Sequence, residues 1–228
     1  MIYIIPTGGL CNCLRVVFSY NEYAKSINEE LTVIWKVTKV CNGFFLDYFE
    51  EVPNITFLKS KPDNIKITYT GCGVCKKNGI KDTNYSDLIL LPRIKEKINK
   101  NIKVLGNNYI AVHIRRTDHT RHFKNRRRLT KDASFIDFID NTKDCNLYIA
   151  TDNADSFNIF KSKYSDRVKI ESNTYDKNKY RQTTLEDAII DFYMCIFAKD
   201  FKGSYWSSFS TQIIIIRRSY GKTSQNRR

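Results

Sequence analysis

"YIAVHIRRTD", residues 109–118, is the stretch on which the fold turns. Tyr109–Ile114 is rich in β-branched and aromatic residues and stops abruptly at two arginines and an aspartate. A short apolar run bounded by charge reads as a buried strand. Its end then carries His113, Arg115 and Arg116 to the edge of a sheet. Because side chains alternate along a strand, His113 and Arg115 take one face and Arg116 the other. One arginine can then face a ligand while the other pairs with an acid such as Asp118. A guanidinium stays charged and presents a planar fork of donors suited to a diphosphate. The competing reading is an exposed basic loop that runs on into "RHFKNRRR", residues 121–128.

Downstream the pattern alternates strictly. "DASFIDFIDN" (132–141), "DNADSFNIFKSKY" (152–164), "LEDAIIDFYMCIFAKD" (185–200) and "SSFSTQIIIIRRSY" (207–220) have helical spacing. Between them "NLYIAT" (146–151), "RVKI" (167–170) and "FKGS" (201–204) read as strands. With residues 109–114 that makes four strands, a small Rossmann-like domain. Upstream, "IYIIP" (2–6), the turn "TGG" (7–9), a helix from Leu10 to Ile27 and the strand "LTVIWKV" (31–37) open another parallel α/β unit. The middle is less regular. "FFLDYF" (44–49) reads as a short helix, "ITFL" (55–58) and "IKITY" (65–69) as strands, and Leu88–Asn99 as a helix with Pro92 in its first turn. The polar stretch "NKNIKVLGNN" (99–108) reads as the domain boundary. The expected architecture is α/β, with two small Rossmann-like domains, 1–103 and 104–228, facing an interdomain cleft. Residues 222–228, "KTSQNRR", read as a disordered tail.

Composition bounds the partners. Thirty-eight Lys and Arg against 24 Asp and Glu give a formal charge of +14 over 228 residues, which calls for an anionic partner without choosing one. The apolar runs "IYII" and "IIII" are too short for a leader or a membrane span, so a cytoplasmic chain without membrane insertion is expected. Seven cysteines, an odd number, point to free thiols rather than a disulfide framework. "CNC" (Cys11, Cys13) and "CGVC" (Cys72, Cys75) hold four thiols, but C-x-C at a helix start is not zinc spacing, and no metal site is expected.

Ligands of parallel α/β folds sit beyond the C-terminal ends of the strands. "PTGGLCN" places Gly8 and Gly9 at a strand-to-helix turn, where backbone amides bind phosphate and Asn12 either adds a contact or caps the helix. "GSYWSSFS" places Ser204, Ser207, Ser208 and Ser210 at another such turn, as a phosphate cradle or as ordinary capping residues. Asp191, in the preceding helix, either accepts the N–H donors of a purine edge or lies on a solvated helix face.

Taken together and in order, "GGLCN", "AVHIRRTD", "YIATDN" and "DFYMCIFAKDFKGSYWSSFS" resemble the fucosyltransferase superfamily that uses GDP-fucose: the α-1,6- and α-1,2-fucosyltransferases and the protein O-fucosyltransferases. The resemblance covers nearly all of the second half and only the N-terminus of the first. It implies a GT-B-like fold with the nucleotide sugar held mainly by the second domain. By resemblance, Arg115 binds the β-phosphate and is the essential catalytic arginine, His113 and Asp191 recognise guanine, and Ser207 or Ser208 binds phosphate. Gly8, Gly9 and Asn12 correspond to the loop that closes over the diphosphate and sugar. The implied reaction is inverting and metal-independent transfer of L-fucose from GDP-fucose to a hydroxyl of a glycan acceptor. The sequence has no D-x-D carboxylate pair, which leaves the departing GDP to fixed cations and dipoles. The general base departs from the family pattern: His119 stands where the α-1,6 type has lysine, and the later glutamate is missing. Asp118, His119 and His122 are the candidates. Transfer from another nucleotide sugar, a basic nucleic-acid-binding module built on residues 116–128, and an inactive glycan-binding relative are the alternatives. No nucleic-acid motif supports the second, so no nucleic-acid partner is expected.

Overall fold

The computed structural model describes residues 1–79, 83–117, 129–171, 173–179 and 182–221. Asp118, His119, His122 and the tail at 222–228 lie outside the described residues. The chain forms two compact units, Met1–Ile94 and Lys95–Arg228.

In the first unit β1 (Ile2–Pro6) runs into α1 (Leu10–Ser26), followed by β2 (Leu31–Ile34), β3 (Ile55–Leu58) and β4 (Tyr69–Gly71). The sheet order is β3-β2-β1-β4 and every pairing is parallel. Leu14, Val16, Val17 and Phe18 of α1 are buried, and Trp35, Phe45 and Phe57 form an aromatic cluster with Phe45 and Phe57 stacked at 4.1 Å. That stacking holds residues 45–47 in one 3-10 turn, where a short helix over 44–49 was expected. The strand expected at 65–69 starts only at Tyr69, because the ladder to β1 begins with Ile4 opposite Tyr69 and Asn64 upstream is left-handed.

Helix α2 (Pro92–Leu105) differs from its expected bounds at both ends. Proline lacks an N–H and has a fixed φ, so it opens a helix rather than sitting within one. The far end comes at Gly106, whose φ of +73° lets its N–H close on the carbonyl of Ile102 at 2.8 Å. The polar residues 99–105 therefore belong to a helix rather than to a linker.

The second unit contains β5 (Tyr109–Ile114), α3 (Asp132–Asp140), β6 (Asn146–Thr151), α4 (Ala154–Lys163), α5 (Leu185–Phe197), β7 (Asp200–Gly203) and α6 (Ser208–Ser219). Its described sheet is parallel, in the order β6-β5-β7. The expected strand at 167–170 does not form. Only Leu147 N–H reaches across, to the carbonyl of Arg167. The Arg167 guanidinium instead binds the carbonyls of Ile139, Thr142 and Cys145 at 2.7–3.0 Å, sealing the end of α3 where a ladder would have continued.

Strand β5 is buried on both faces, as expected for the centre of a parallel sheet. Ile110, Val112 and Ile114 join Phe135, Phe138, Phe157 and Phe160 in one core. On the opposite face Tyr109 donates its hydroxyl to the carbonyl of Met194 in α5 at 2.7 Å.

The two C-terminal helices are tied by Arg217. Fully buried, it donates to the carbonyls of Cys195, Ile196 and Ala198 at 2.7–3.0 Å and to that of Lys199 at 3.2 Å. These are the carbonyls that the end of α5 leaves open. Burial pushes the arginine pKa down, and its carbonyl partners keep the cation in place. Replacing Arg217 with Leu strands those acceptors and should cost about 3 kcal/mol. The exposed neighbour change Arg218→Leu should leave the midpoint of thermal unfolding within a degree or two of wild type. Equal midpoints for the two variants would refute the capping role.

Candidate active site

The end of β5 is pinned from both neighbouring strands. On the β7 side, Ser204 Oγ donates to the carbonyl of His113 and accepts the N–H of Arg115, each at 2.9 Å. On the β6 side, Asp152 accepts the N–H of Arg116 at 2.8 Å and the hydroxyl of Thr117 at 2.6 Å. Thr151 also donates its hydroxyl to the carbonyl of Ile114. The turn that carries Arg115 is thus clamped by side chains just where the strand ladder stops.

The two arginines have different surroundings. Arg116 is bound to Asp132, donates to the carbonyl of Arg115 at 3.2 Å and lies over the Phe135 ring. The acid bound to it among the described residues comes from α3. Arg115 is half-buried, with its backbone held by Ser204.

His113 is buried against Ser210 and Phe209. Its Nδ1 lies 2.7 Å from Ser210 Oγ, and the ring centroids of His113 and Phe209 are 4.6 Å apart. Ser210 stands in the first turn of α6 and donates its own N–H to Ser207 Oγ at 3.3 Å. Buried Ser207 is therefore the helix cap, while Ser208, one residue on, is half-buried. The approach of strand end and helix depends on Gly203: a Cβ there would meet Ser210 Cβ at 2.6 Å. No acidic residue occupies the first turn of α6, so its N-terminal amides keep their positive potential. Helix α5 is the contrast. Thr184 and Asp187 close its start with a capping box.

Asp191 is buried in α5, which sets aside the solvated-face reading. Tyr148 donates its hydroxyl to Asp191 Oδ1 at 2.6 Å, and Asn173 Nδ2 lies 3.3 Å from Oδ2. Ala111 pairs with Tyr148 and His113 with Ala150, so Tyr148 and His113 share a sheet face. Phe192, next to Asp191, packs edge-on against Phe209, the ring that covers His113. Burial lifts the Asp191 carboxyl to about 7, opposed by the hydrogen bonds from Tyr148 and Asn173. Burial and the Asp191 charge push the Tyr148 hydroxyl up as well.

In the first unit, Gly8 has φ +95° and Gly9 stands before the first turn of α1 without a capping side chain. A Cβ on Gly8 would meet Asn12 Nδ2 at 2.7 Å, so glycine is required there twice over. Asn12 Oδ1 is buried with no hydrogen-bond partner among the described residues. An orphaned buried acceptor calls for an explanation, and a donor group brought by a ligand is one.

Reading the sequence alone singles out neither Asp152 nor Gly203. The visible signal was position: both stand at the C-terminal ends of strands. Asp118 and His119, the expected bases, lie outside the described residues. Cys72 is exposed and Cys75 buried, and among the described residues no group of three His, Cys, Asp or Glu is arranged to hold a metal. No described helix is long and apolar enough to cross a membrane.

No protein-family model and no curated protein sequence matches the chain. Solved structures do. NodZ fucosyltransferase from Bradyrhizobium is 13% identical with a TM-score of 0.62, over 93% of this chain and 92% of that one. NodZ α-1,6-fucosyltransferase soaked with GDP-fucose gives 13% and 0.62, over 94% and 92%. POFUT1 in complex with GDP is 10% identical with a TM-score of 0.63, over 98% and 96%. The fold is therefore the GT-B-like α/β fold of these proteins, and the resemblance carried by "HIRRTD" holds at the level of the fold.

The raised Asp191 pKa has a stability consequence. A carboxyl raised from 3.8 to about 7 favours the folded state in its protonated form. That contribution is complete below pH 4 and is lost as the pH rises through 7. Asp191→Asn removes the titration. The midpoint of the variant relative to wild type should therefore climb by several degrees between pH 5 and 8. A constant difference across that range would contradict the assignment.

Proposed function

We propose that the chain is an inverting, metal-independent glycosyltransferase that moves L-fucose from GDP-fucose to a hydroxyl of a glycan acceptor. The observation that carries the reading is the clamp at the end of β5. Ser204 and Asp152 hold the backbone of Arg115–Thr117 beside an acid-free helix start. Such an arrangement suits a diphosphate, with the backbone that carries a guanidinium, and the helix amides, fixed before the ligand arrives. The likeness to NodZ and POFUT1 supports GDP-fucose as the ligand, since those proteins were solved with GDP or GDP-fucose.

In this reading Arg115 neutralises the β-phosphate as the bond from C1 of fucose to the phosphate oxygen breaks. The acceptor hydroxyl attacks C1 from the opposite face, which inverts the centre. The charge that develops on GDP is met by Arg115 and the α6 amides, and by the hydroxyl of Ser207 or Ser208 at the start of that helix. Arg116, neutralised by Asp132, holds the turn. His113 and Asp191 recognise guanine from their shared sheet face. Gly8, Gly9 and Asn12 offer a further turn for the donor, with the orphaned Asn12 oxygen awaiting a hydroxyl or N–H. Asp118 or His119 takes the acceptor proton. The free thiols fit a cytoplasmic setting.

Thermal unfolding with GDP, UDP or neither, in the presence of chelator, tests the donor site. GDP at a hundred times its dissociation constant should add about 2.7 kcal/mol and UDP far less. Arg115→Ala should lower transfer from GDP-fucose ~10²–10³-fold while keeping the unliganded midpoint. Equal stabilisation by UDP, near-normal turnover of Arg115→Ala, or activity abolished by chelator would each overturn part of the reading.

A further inference from the structure

Six described residues other than glycine have positive φ: Asn28, Asn54, Asn64, Asn78, Asp144 and Trp206. Five are Asn or Asp, whose short polar side chains tolerate the left-handed region. Trp206, at φ +58°, is the exception. The strain cannot relax locally, because the turn is anchored on both sides. Ser204 is bound to β5, the N–H of Tyr205 donates to Thr130 Oγ1 at 2.7 Å, and Ser207 caps α6. What the anchored turn achieves is an exposed ring. Trp206 keeps 55% of its surface accessible, with Tyr205 edge-on to it at 5.9 Å. The other exposed large apolar residues of the second unit are Val104, Ile159, Ile215 and Tyr220, all in helices or at a helix end. Among these residues of the second unit, Trp206 alone stands in a loop leaving the C-terminal end of a strand. Backbone strain of this kind collects at functional sites.

Its place in the chain says what the ring meets. Trp206 lies between Ser204, which fixes the backbone of Arg115, and Ser207–Ser208, where α6 begins. In a nucleotide sugar the pyranose is bonded directly to the β-phosphate, so its ring lies next to whatever cradles that phosphate. Fucose is a 6-deoxy sugar: a methyl group and the ring C–H bonds give it an apolar face, the surface that an indole ring accepts. We propose that Trp206 is the platform on which the sugar ring of the donor stacks, a specificity-determining residue for fucose. The proposal rests on the GDP-fucose reading of the site.

The two tryptophans of the sequence make the test direct, because Trp35 is buried in the first unit. Iodide quenching of tryptophan fluorescence then reports chiefly on Trp206. GDP-fucose should shield the ring and GDP should not. In parallel titrations, wild type should bind GDP-fucose about five- to tenfold more tightly than GDP. Trp206→Ala should bring that ratio close to one while changing GDP affinity less than about twofold. Trp206→Gly, which relieves the left-handed strain, should do the same with an unfolding midpoint no lower than wild type. GDP binding without sugar-dependent shielding, or a Trp206→Gly variant that keeps the wild-type preference, would overturn the stacking alone. Failure of GDP to bind would overturn the donor-site reading and this proposal with it.

Discussion

A single hydroxyl organises the second unit. Ser204 Oγ closes the gap where the β5–β7 ladder runs out, taking the N–H of Arg115 and giving its proton to the carbonyl of His113. Without it the backbone after His113 would leave the sheet with two open polar groups in a buried setting, which is costly. With it, the arginine turn is registered against the start of α6. Asp152 performs the matching task from β6. Side chains at the ends of both flanking strands therefore fix the turn, Ser204 from β7 and Thr151 and Asp152 from β6.

The large positive charge distributes unevenly among tasks. Arg217 is spent on the carbonyls at the end of α5, as a buried brace, and Arg167 on those around the end of α3, as a half-buried one. Arg116 is paired with Asp132. Net charge thus says little about which arginine faces a ligand; partners decide it. The helix dipoles act in the same direction, since α1 and α6 both start without an acidic residue whereas α5 starts with a capping box. At both of these turns glycine or serine also allows close approach.

Much of this was legible in the sequence because local pattern and tertiary role agreed. Residues 109–114 could only be a buried strand, and their abrupt end in charge marked the sheet edge. The glycine turn before α1 and the serine turn before α6 were legible for the same reason. The failures share one cause, which is long-range contact overriding local propensity. "RVKI" has strand composition, yet beside β6 it makes the Leu147 N–H to Arg167 carbonyl bond without a ladder, and the Arg167 side chain is held by three carbonyls around the end of α3. Residues 99–105 look like a linker until Gly106 ends the helix that contains them. For Asp191 the sequence leaves a purine contact and a solvated helix face open, and only the folded sheet, which brings Tyr148 and Asn173 to it, shows it buried. No spacing rule announces a partner 43 residues away.

The departures from good folding practice are themselves informative. Asn12 holds a buried acceptor without a partner, Asp191 is buried at the expense of its charge, and Trp206 sits in a backbone region suited to asparagine or glycine. Asn12 and Trp206 stand beside turns that follow parallel strands, and Asp191 lies on the helix that covers the same sheet face as His113. Local conflict with an otherwise consistent fold marks the places where the molecule is shaped for something other than stability. The strained tryptophan is the clearest case, because relief is one substitution away and its ring remains exposed. A residue retained there against both backbone preference and burial is best understood by what can lie against it.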